Sequence, residues 1–411
     1  MSGANRGALP PLEHVDIVKC GITGKWLCLM LQHAHALKEL SLHRCNQITG
    51  LLIGEEENSQ PSLMSSPEAP SLGYPGRDEL LNDEQSNRRW LLPLSLGELD
   101  IGHVDSLKVL QPCFLMNLTG LKKLRVFDNP NLTSLQLHFC TALQELRIED
   151  CELLNSLEGL ESLGSLRLLR AQRCLGGHGE NGSCILPQSL EELYISRYSQ
   201  ETLRPCFPRN LTCLKRLDAS ETSSLKYLAL ESCTALEELR VVCCESLAAI
   251  GGSEPHRSIR HLEVRRCPSL PACLPASLEG LERLEIDDPS FLTTLFCKHL
   301  TSLQSLELSW CKSEVERLTD EQDRALQLLT SLQELRFWFC DNLIDFPTGL
   351  HSLPSLKRLE IVFCKSIVKL PEKGLPPSLE ELDITGCSVE LAQQCRILVL
   401  ESNLKVKFCS F

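Results

Sequence analysis

The sequence predicts an α/β repeat solenoid: a curved horseshoe with a concave parallel β-sheet and a mostly irregular convex side. Three observations carry this expectation. Leucine fills 83 of the 411 positions while aromatic residues make up only 5% of the chain, so the core is built from small, interchangeable aliphatic units. The chain repeats itself at a fixed short period. Proline follows an apolar residue in several return segments, at Leu270-Pro271, Phe346-Pro347 and Leu370-Pro371, where its fixed backbone and missing donor disfavour regular helix.

The period is read from three phrases near the end: Leu332-Gln-Glu-Leu335-Arg-Phe337-Trp-Phe-Cys340, Leu356-Lys-Arg-Leu359-Glu-Ile361-Val-Phe-Cys364 and Leu379-Glu-Glu-Leu382-Asp-Ile384-Thr-Gly-Cys387. Their template is L-x-x-L-x-L-x-x-C, numbered here one to nine. The same template starts upstream at Leu12, Leu37, Leu96, Leu121, Leu143, Leu166, Leu190, Leu214, Leu236, Ile259, Leu281 and Leu303, which makes fifteen units. From Leu121 to Leu379 the spacing averages about 23.5 residues, the leucine-rich-repeat period. Within L-x-L, positions four and six point to one face of a strand and positions three, five and seven to the other. One unit cannot bury its apolar face alone, so stacked units share a continuous core.

Position nine is Cys at 20, 45, 151, 174, 244, 267, 311, 340, 364 and 387, and Asn at 129. A small side chain is expected to turn inward there, Asn bonding the backbone and Cys filling the space as a weak donor. With no C-x-x-C pair, packing is the expected use of these thiols rather than metal binding or disulfides. Thr319-Asp-Glu-Gln322 is a capping-box pattern and predicts a short convex helix from Thr319 to Leu329. Residues 55–89, rich in Ser, Pro, Glu, Asn and Gly, read as a disordered insertion, and 175–184 as a Gly-rich loop. Two half-units, Leu132 to Cys140 and Leu225 to Cys233, look like return segments that copied the strand pattern. The expected organisation is a single leucine-rich-repeat domain over 1–411, with 388–411 as a C-terminal cap.

Composition excludes several functions. A net charge of −13 argues against nucleic acid or an anionic membrane as partner. No run of apolar residues is long enough for a membrane span, and the N-terminus shows no secretory pattern. The 22 cysteines are therefore expected as reduced thiols in the cytoplasm or nucleus. Gly21-Ile-Thr-Gly24-Lys25-Trp26 lacks the spacing of a phosphate loop, and no hydrolase, zinc-protease or kinase signature is present. The expectation is a non-enzymatic chain with no cofactor and no metal.

What remains is the concave surface. Position five of the later repeats reads Arg240, Glu263, Glu285, Glu307, Arg336, Glu360 and Asp383, a mostly acidic stripe broken by arginines and expected to be solvated and partly paired. Trp310, Trp338, Phe339 and Phe363 fall at positions seven and eight of three consecutive repeats, outside the core positions. Two readings are open for these rings: an interface hot spot, or packing against one another. The candidate protein-binding set is Trp310, Arg336, Trp338, Phe339, Glu360, Phe363 and Asp383.

These features together resemble the C-terminal leucine-rich-repeat region of plant nucleotide-binding leucine-rich-repeat disease-resistance proteins. The resemblance rests on the Cys-bearing strand template, the Leu-Pro turns and phrases such as Leu353-Pro-Ser-Leu-Lys-Arg-Leu-Glu-Ile361. The tail Gly386-Cys-Ser-Val-Glu-Leu-Ala-Gln-Gln-Cys395, with Asn403-Leu-Lys-Val-Lys-Phe408, is similar to the ending of such receptors in grasses. It covers residues 12–408. It implies recognition of a pathogen effector or a guarded host protein through the concave face, and contact with a nucleotide-binding module. No residue here matches that module's motifs, and the first repeat at Leu12 has no capping unit before it, so the chain is expected to be a fragment, a truncated gene product or one part of a receptor. Leu40-Ser-Leu-His-Arg-Cys-Asn-Gln-Ile-Thr49 also resembles the repeats of F-box-type substrate adaptors. Those run nearer 26 residues, and no F-box-like segment precedes Leu12, which leaves an F-box-like or stand-alone adaptor as the alternative.

Overall fold

The structure is a computed structural model that describes residues 11–31, 33–48, 92–110, 118–154, 156–173, 186–197, 211–251, 258–270, 278–311, 315–401 and 404–409. The expected insertion at 55–89 and the Gly-rich loop at 175–184 lie outside these residues.

Among the described residues sixteen strands, from His14–Val18 to Lys405–Cys409, form one parallel sheet in chain order. Each of the fifteen template starts is followed, two residues later, by a strand. The register is constant, with like positions opposite one another, as in Leu335↔Leu359↔Leu382 and Phe337↔Ile361↔Ile384. At the entry to each strand the N–H groups of positions two and three share one carbonyl of the repeat before: Gln333 and Glu334 donate to Gln304 at 2.8 and 2.9 Å. Position one is buried at thirteen of the fifteen starts, while Leu12 is exposed and Leu379 half-buried. The result is one continuous aliphatic core running along the solenoid.

Position nine closes the inner turn. Cys364 Sγ donates to the Phe337 carbonyl of the preceding repeat at 3.5 Å and to its own Val362 carbonyl at 3.6 Å. Cys45, Cys151, Cys244, Cys267, Cys340 and Cys387 make the same two contacts. Asn129 does so with its amide, donating to Ile101 at 3.0 Å and Phe127 at 2.8 Å, and its Oδ1 accepts from the Val104 N–H at 2.9 Å. The thiols thus occupy the place of an asparagine ladder.

Position eight is the turning residue. Among the described residues thirteen non-glycine residues adopt positive φ, between 49° and 66°, and each of them is a position eight. The left-handed conformation lets the chain leave the strand sharply, at roughly 1–2 kcal/mol for a residue with a Cβ. Gly386 takes the same place in the last full template, with φ 64°.

The convex side is mixed. The half-unit around Leu135 contributes strand Ser134–Gln136 to a separate three-stranded parallel sheet with Val109–Leu110 and Ser156–Glu158. The half-unit around Leu228 contributes Tyr227–Ala229, which pairs with Ala249–Gly251. These copies are return segments, outside the main sheet. The capping box at Thr319 is formed, with Thr319 Oγ1 accepting from Gln322 N and Gln322 reaching back to Thr319 N, and the helix runs Asp320–Gln327. The tail holds helix Val389–Glu401 and then strand Lys405–Cys409, whose Val406 and Phe408 continue the Leu382 and Ile384 rows.

Candidate functional site: the C-terminal concave face and its aromatic shelf

The parallel register sets position-five side chains of neighbouring strands side by side, so Glu307, Arg336, Glu360 and Asp383 form one row. Arg336 is its hinge. Its guanidinium lies 2.8 Å from Glu334, 3.1 Å from Glu360 and 3.8 Å from Glu307. Glu360 is raised from the ordinary carboxylate range, by burial first and then against the lowering effect of Arg336. Asp383 accepts a hydrogen bond from Thr385 Oγ1 at 2.7 Å.

Just upstream, the acidic stripe departs from expectation. Glu263, Glu285 and Glu307 are buried rather than solvated. The reason is the long side chains at positions three and seven, which fold over them. Arg265 reaches Glu285 at 2.5 Å, Glu307 at 2.9 Å and Glu263 at 3.2 Å. His261 bridges Glu238 and Glu285 at 3.2 Å each, and Arg283 lies 2.7 Å from Glu285. Burial alone would raise Glu285, but the His261 bond and the Arg283 and Arg265 charges outweigh it and hold the carboxyl at about 2. His261 is raised in return, chiefly by its bond to Glu285. Glu307 is pushed up by burial and by the Glu285 charge. This network was not singled out from the sequence. Its signal was present as His261 and Arg265, the charged neighbours that flank Glu263 on the same strand face.

The rings form a shelf along the rim of this face. Trp310, Phe339 and Phe363 occupy position eight of three consecutive repeats, all with positive φ. Trp310 and Phe339 stack at 4.2 Å with planes 6° apart, and Phe339 and Phe363 at 4.7 Å and 20°. Trp338, at position seven, meets Phe339 edge-on at 6.3 Å. The next rung is Gly386, where a Cβ would collide with the Phe363 ring, so the glycine seats the end of the stack. The rings pack on one another and still face outward: Trp310 is 51% and Trp338 38% exposed. Of the seven candidate residues, Arg336, Trp338, Glu360 and Asp383 lie on three adjacent strands, and Trp310, Phe339 and Phe363 occupy the turns at the ends of three consecutive strands. A second ring, Phe127, sits edge-on to His43 at 5.4 Å and His103 at 5.2 Å, with Arg125 over its face at 4.6 Å.

The repeat template, the parallel concave sheet and the ninth-position ladder define a leucine-rich-repeat solenoid. The chain is similar to disease resistance proteins of Arabidopsis thaliana: 29% identical over 195 residues to Disease resistance protein RPS4B, 41% of this chain and 16% of that protein. It is 28% identical over 276 residues to Disease resistance protein RPP5, 66% of this chain and 18% of that protein. The chain thus spans under a fifth of the length of these two relatives. No protein-family profile matches it. Among solved structures, the one titled "Crystal structure of TLR13-ssRNA13 complex" superposes with TM-score 0.54 at 15% identity, over 97% of this chain and 57% of that one, a likeness of fold alone. No helix among the described residues is long and apolar enough to cross a membrane.

Proposed function

We propose that this chain is the recognition region of a plant immune receptor, a non-enzymatic module that senses a pathogen effector or a guarded host protein. The binding surface is the C-terminal concave face with its aromatic shelf: Trp310, Arg336, Trp338, Phe339, Glu360, Phe363 and Asp383. The observation that carries the reading is the backbone of the shelf. Bulky rings are poorly suited to a left-handed turn, and three in succession hold that strained conformation, with Trp310 exposed and Phe339 and Phe363 half-buried. Stacking returns about 0.5–1.5 kcal/mol per pair, which offsets the strain without explaining the choice of rings. A flat, pre-stacked surface that loses little entropy on binding does explain it. Similarity to Arabidopsis disease resistance proteins supplies the biological setting. In the full receptor a nucleotide-binding module would couple recognition to signalling, in the cytoplasm or nucleus, and the similarity of the tail to the ending of grass receptors supports a receptor of that type.

The test compares wild type with a Trp310→Gly/Phe363→Gly double variant, immunoprecipitated from plant tissue challenged with a pathogen. Proteins bound by wild type and missing from the variant support the reading, with an expected loss of about 2 kcal/mol or more, roughly 30-fold in Kd. An unchanged set of bound proteins removes the shelf as the binding surface.

A further inference from the structure

Seven of the described ninth-position thiols share one pair of carbonyl contacts, and Cys311 sits on a different turn. Cys311 follows the repeat that starts at Leu281, whose strand ends early at Ile286 and whose position eight, Asp288, has φ −116°. Pro289 then takes position nine and opens a 3-10 helix, so the turn beneath Cys311 differs from the others. Cys311 is half-buried where most of its counterparts are buried. Its sulfur lies 2.9 Å from Cys340 Sγ, inside van der Waals contact of two sulfur atoms. A disulfide length of about 2.05 Å is then less than about 1 Å of motion away.

The pair also has the chemistry for oxidation. Burial pushes the isolated thiols Cys140 and Cys233 up to about 12, where they are inert. Cys340 is lowered instead, by hydrogen bonds from Cys311 and Cys364, while Cys311 is held up by the same bond to Cys340. Cys340 is buried and Cys311 half-buried, so Cys311 is the sulfur that a small oxidant meets first.

We propose that Cys311 and Cys340 are a redox-active pair that closes to an intramolecular disulfide when a hydroperoxide reaches Cys311. The Cys311 sulfur attacks the peroxide, the O–O bond breaks, and the thiol proton leaves with the departing oxygen as water, giving a sulfenic acid. The Cys340 sulfur then displaces that hydroxyl, which takes the Cys340 proton and leaves as a second water. Two thiols lose two hydrogens and two electrons, and hydrogen peroxide is reduced to two waters. The bond ties together the turns that carry Trp310 and Phe339, so oxidation would fix the spacing of the first two rings of the shelf.

The test is to treat the intact chain with hydrogen peroxide, alkylate remaining thiols under denaturing conditions and map the tryptic peptides by mass spectrometry. The expected result is a single dithiothreitol-reversible peptide pair joining Cys311 to Cys340, with Cys244 and Cys267 recovered alkylated. The Cys311→Ser variant, checked for native circular dichroism, should lose this pair and leave Cys340 alkylated. The proposal is overturned if Cys311 and Cys340 both remain free at a peroxide dose that oxidises glutathione. It is equally overturned if Cys311 proceeds to sulfinic acid unpaired, or if Cys340 joins Cys364.

Discussion

The two ends of the solenoid place different chemistry on one backbone turn. In the N-terminal and central repeats position eight is mostly charged, as in Lys19, Arg44, Asp128, Asp150, Arg173, Arg197 and Glu221, and in the C-terminal repeats it is Trp310, Phe339 and Phe363, all with φ between 49° and 66°. The charged set reaches its neighbours as ion pairs: Arg173 to Glu152 at 2.6 Å, Arg197 to Glu221 at 2.9 Å and to Asp150 at 3.3 Å. The aromatic set stacks. The repeat therefore fixes the direction and spacing of the row, and the side chain alone decides whether the rim is a hydrated charge ladder or a flat apolar shelf.

If the difference is confined to the surface, the core beneath both ends should respond alike. Leu335 and Leu124 are both buried at position four. Leu335→Ala and Leu124→Ala should each cost about 2–5 kcal/mol by urea denaturation, from lost burial and the cavity left behind. A loss below about 1 kcal/mol at Leu335 would mean the strand register is wrong. A gap of several kcal/mol between the two would mean the ends differ in more than their rims.

The ninth-position ladder sharpens the comparison one level down. Asn129→Ala removes two donors and one acceptor: the Val104 N–H loses its side-chain partner, and the Ile101 and Phe127 carbonyls each lose the amide donor, Phe127 keeping the His103 N–H at 3.1 Å. That should cost about 3 kcal/mol. Cys364→Ala at the aromatic end removes only a weak donor and a small volume, and should cost about 1 kcal/mol. Equal losses in thermal melts would show that the thiols bear as much of the turn as the amide does.

These contrasts also separate what the chain discloses from what it hides. The strands were legible because position four and position six side chains must share a face, and the convex helix because Thr319 and Gln322 stand three apart. The sixteenth strand was not legible as a strand: its position one is Asn403, so Val406 and Phe408 stand without the leading leucine and the stretch reads as a cap. The rings of the shelf could be placed from the template, but not their stacking, since no rule of spacing assigns Trp or Phe a left-handed turn. The burial of Glu285 was hidden for a different reason. It depends on Arg265 and His261, 20 and 24 residues away, whose side chains reach across strands.

That network gives a pH test of the middle of the molecule. Glu285 is lowered from 4.5 to about 2, so its folded charged form is favoured. Its contribution is fully present above the unfolded value and is lost as pH falls from about 4.5 towards 2. His261 is raised, so its contribution is present below 6.5 and fades as pH rises through the folded value. Glu285→Gln should cost about 2 kcal/mol at neutral pH by leaving Arg265 and Arg283 short of a counter-charge, and should flatten the acid limb of the stability profile. An acid limb as steep in the variant as in wild type would assign it to other carboxylates.

The smallest expected stability change is the one that divides the two ends most sharply. Arg173→Gly and Trp310→Gly make the same backbone change at position eight. Each relieves about 1 kcal/mol or more of left-handed strain and adds up to about 1 kcal/mol of unfolded-chain entropy. Each also removes a modest interaction: an exposed ion pair worth about 0–1 kcal/mol for Arg173, and one stacking contact of about 0.5–1.5 kcal/mol for Trp310. Both variants should therefore melt within about 1 kcal/mol of wild type. Only Trp310→Gly should weaken binding to a protein partner, because only it opens the flat shelf. If Trp310→Gly instead lost more than about 2 kcal/mol of stability, the ring would be holding the turn together, and the aromatic end would be a structural variant of the charged one rather than a surface kept for contact.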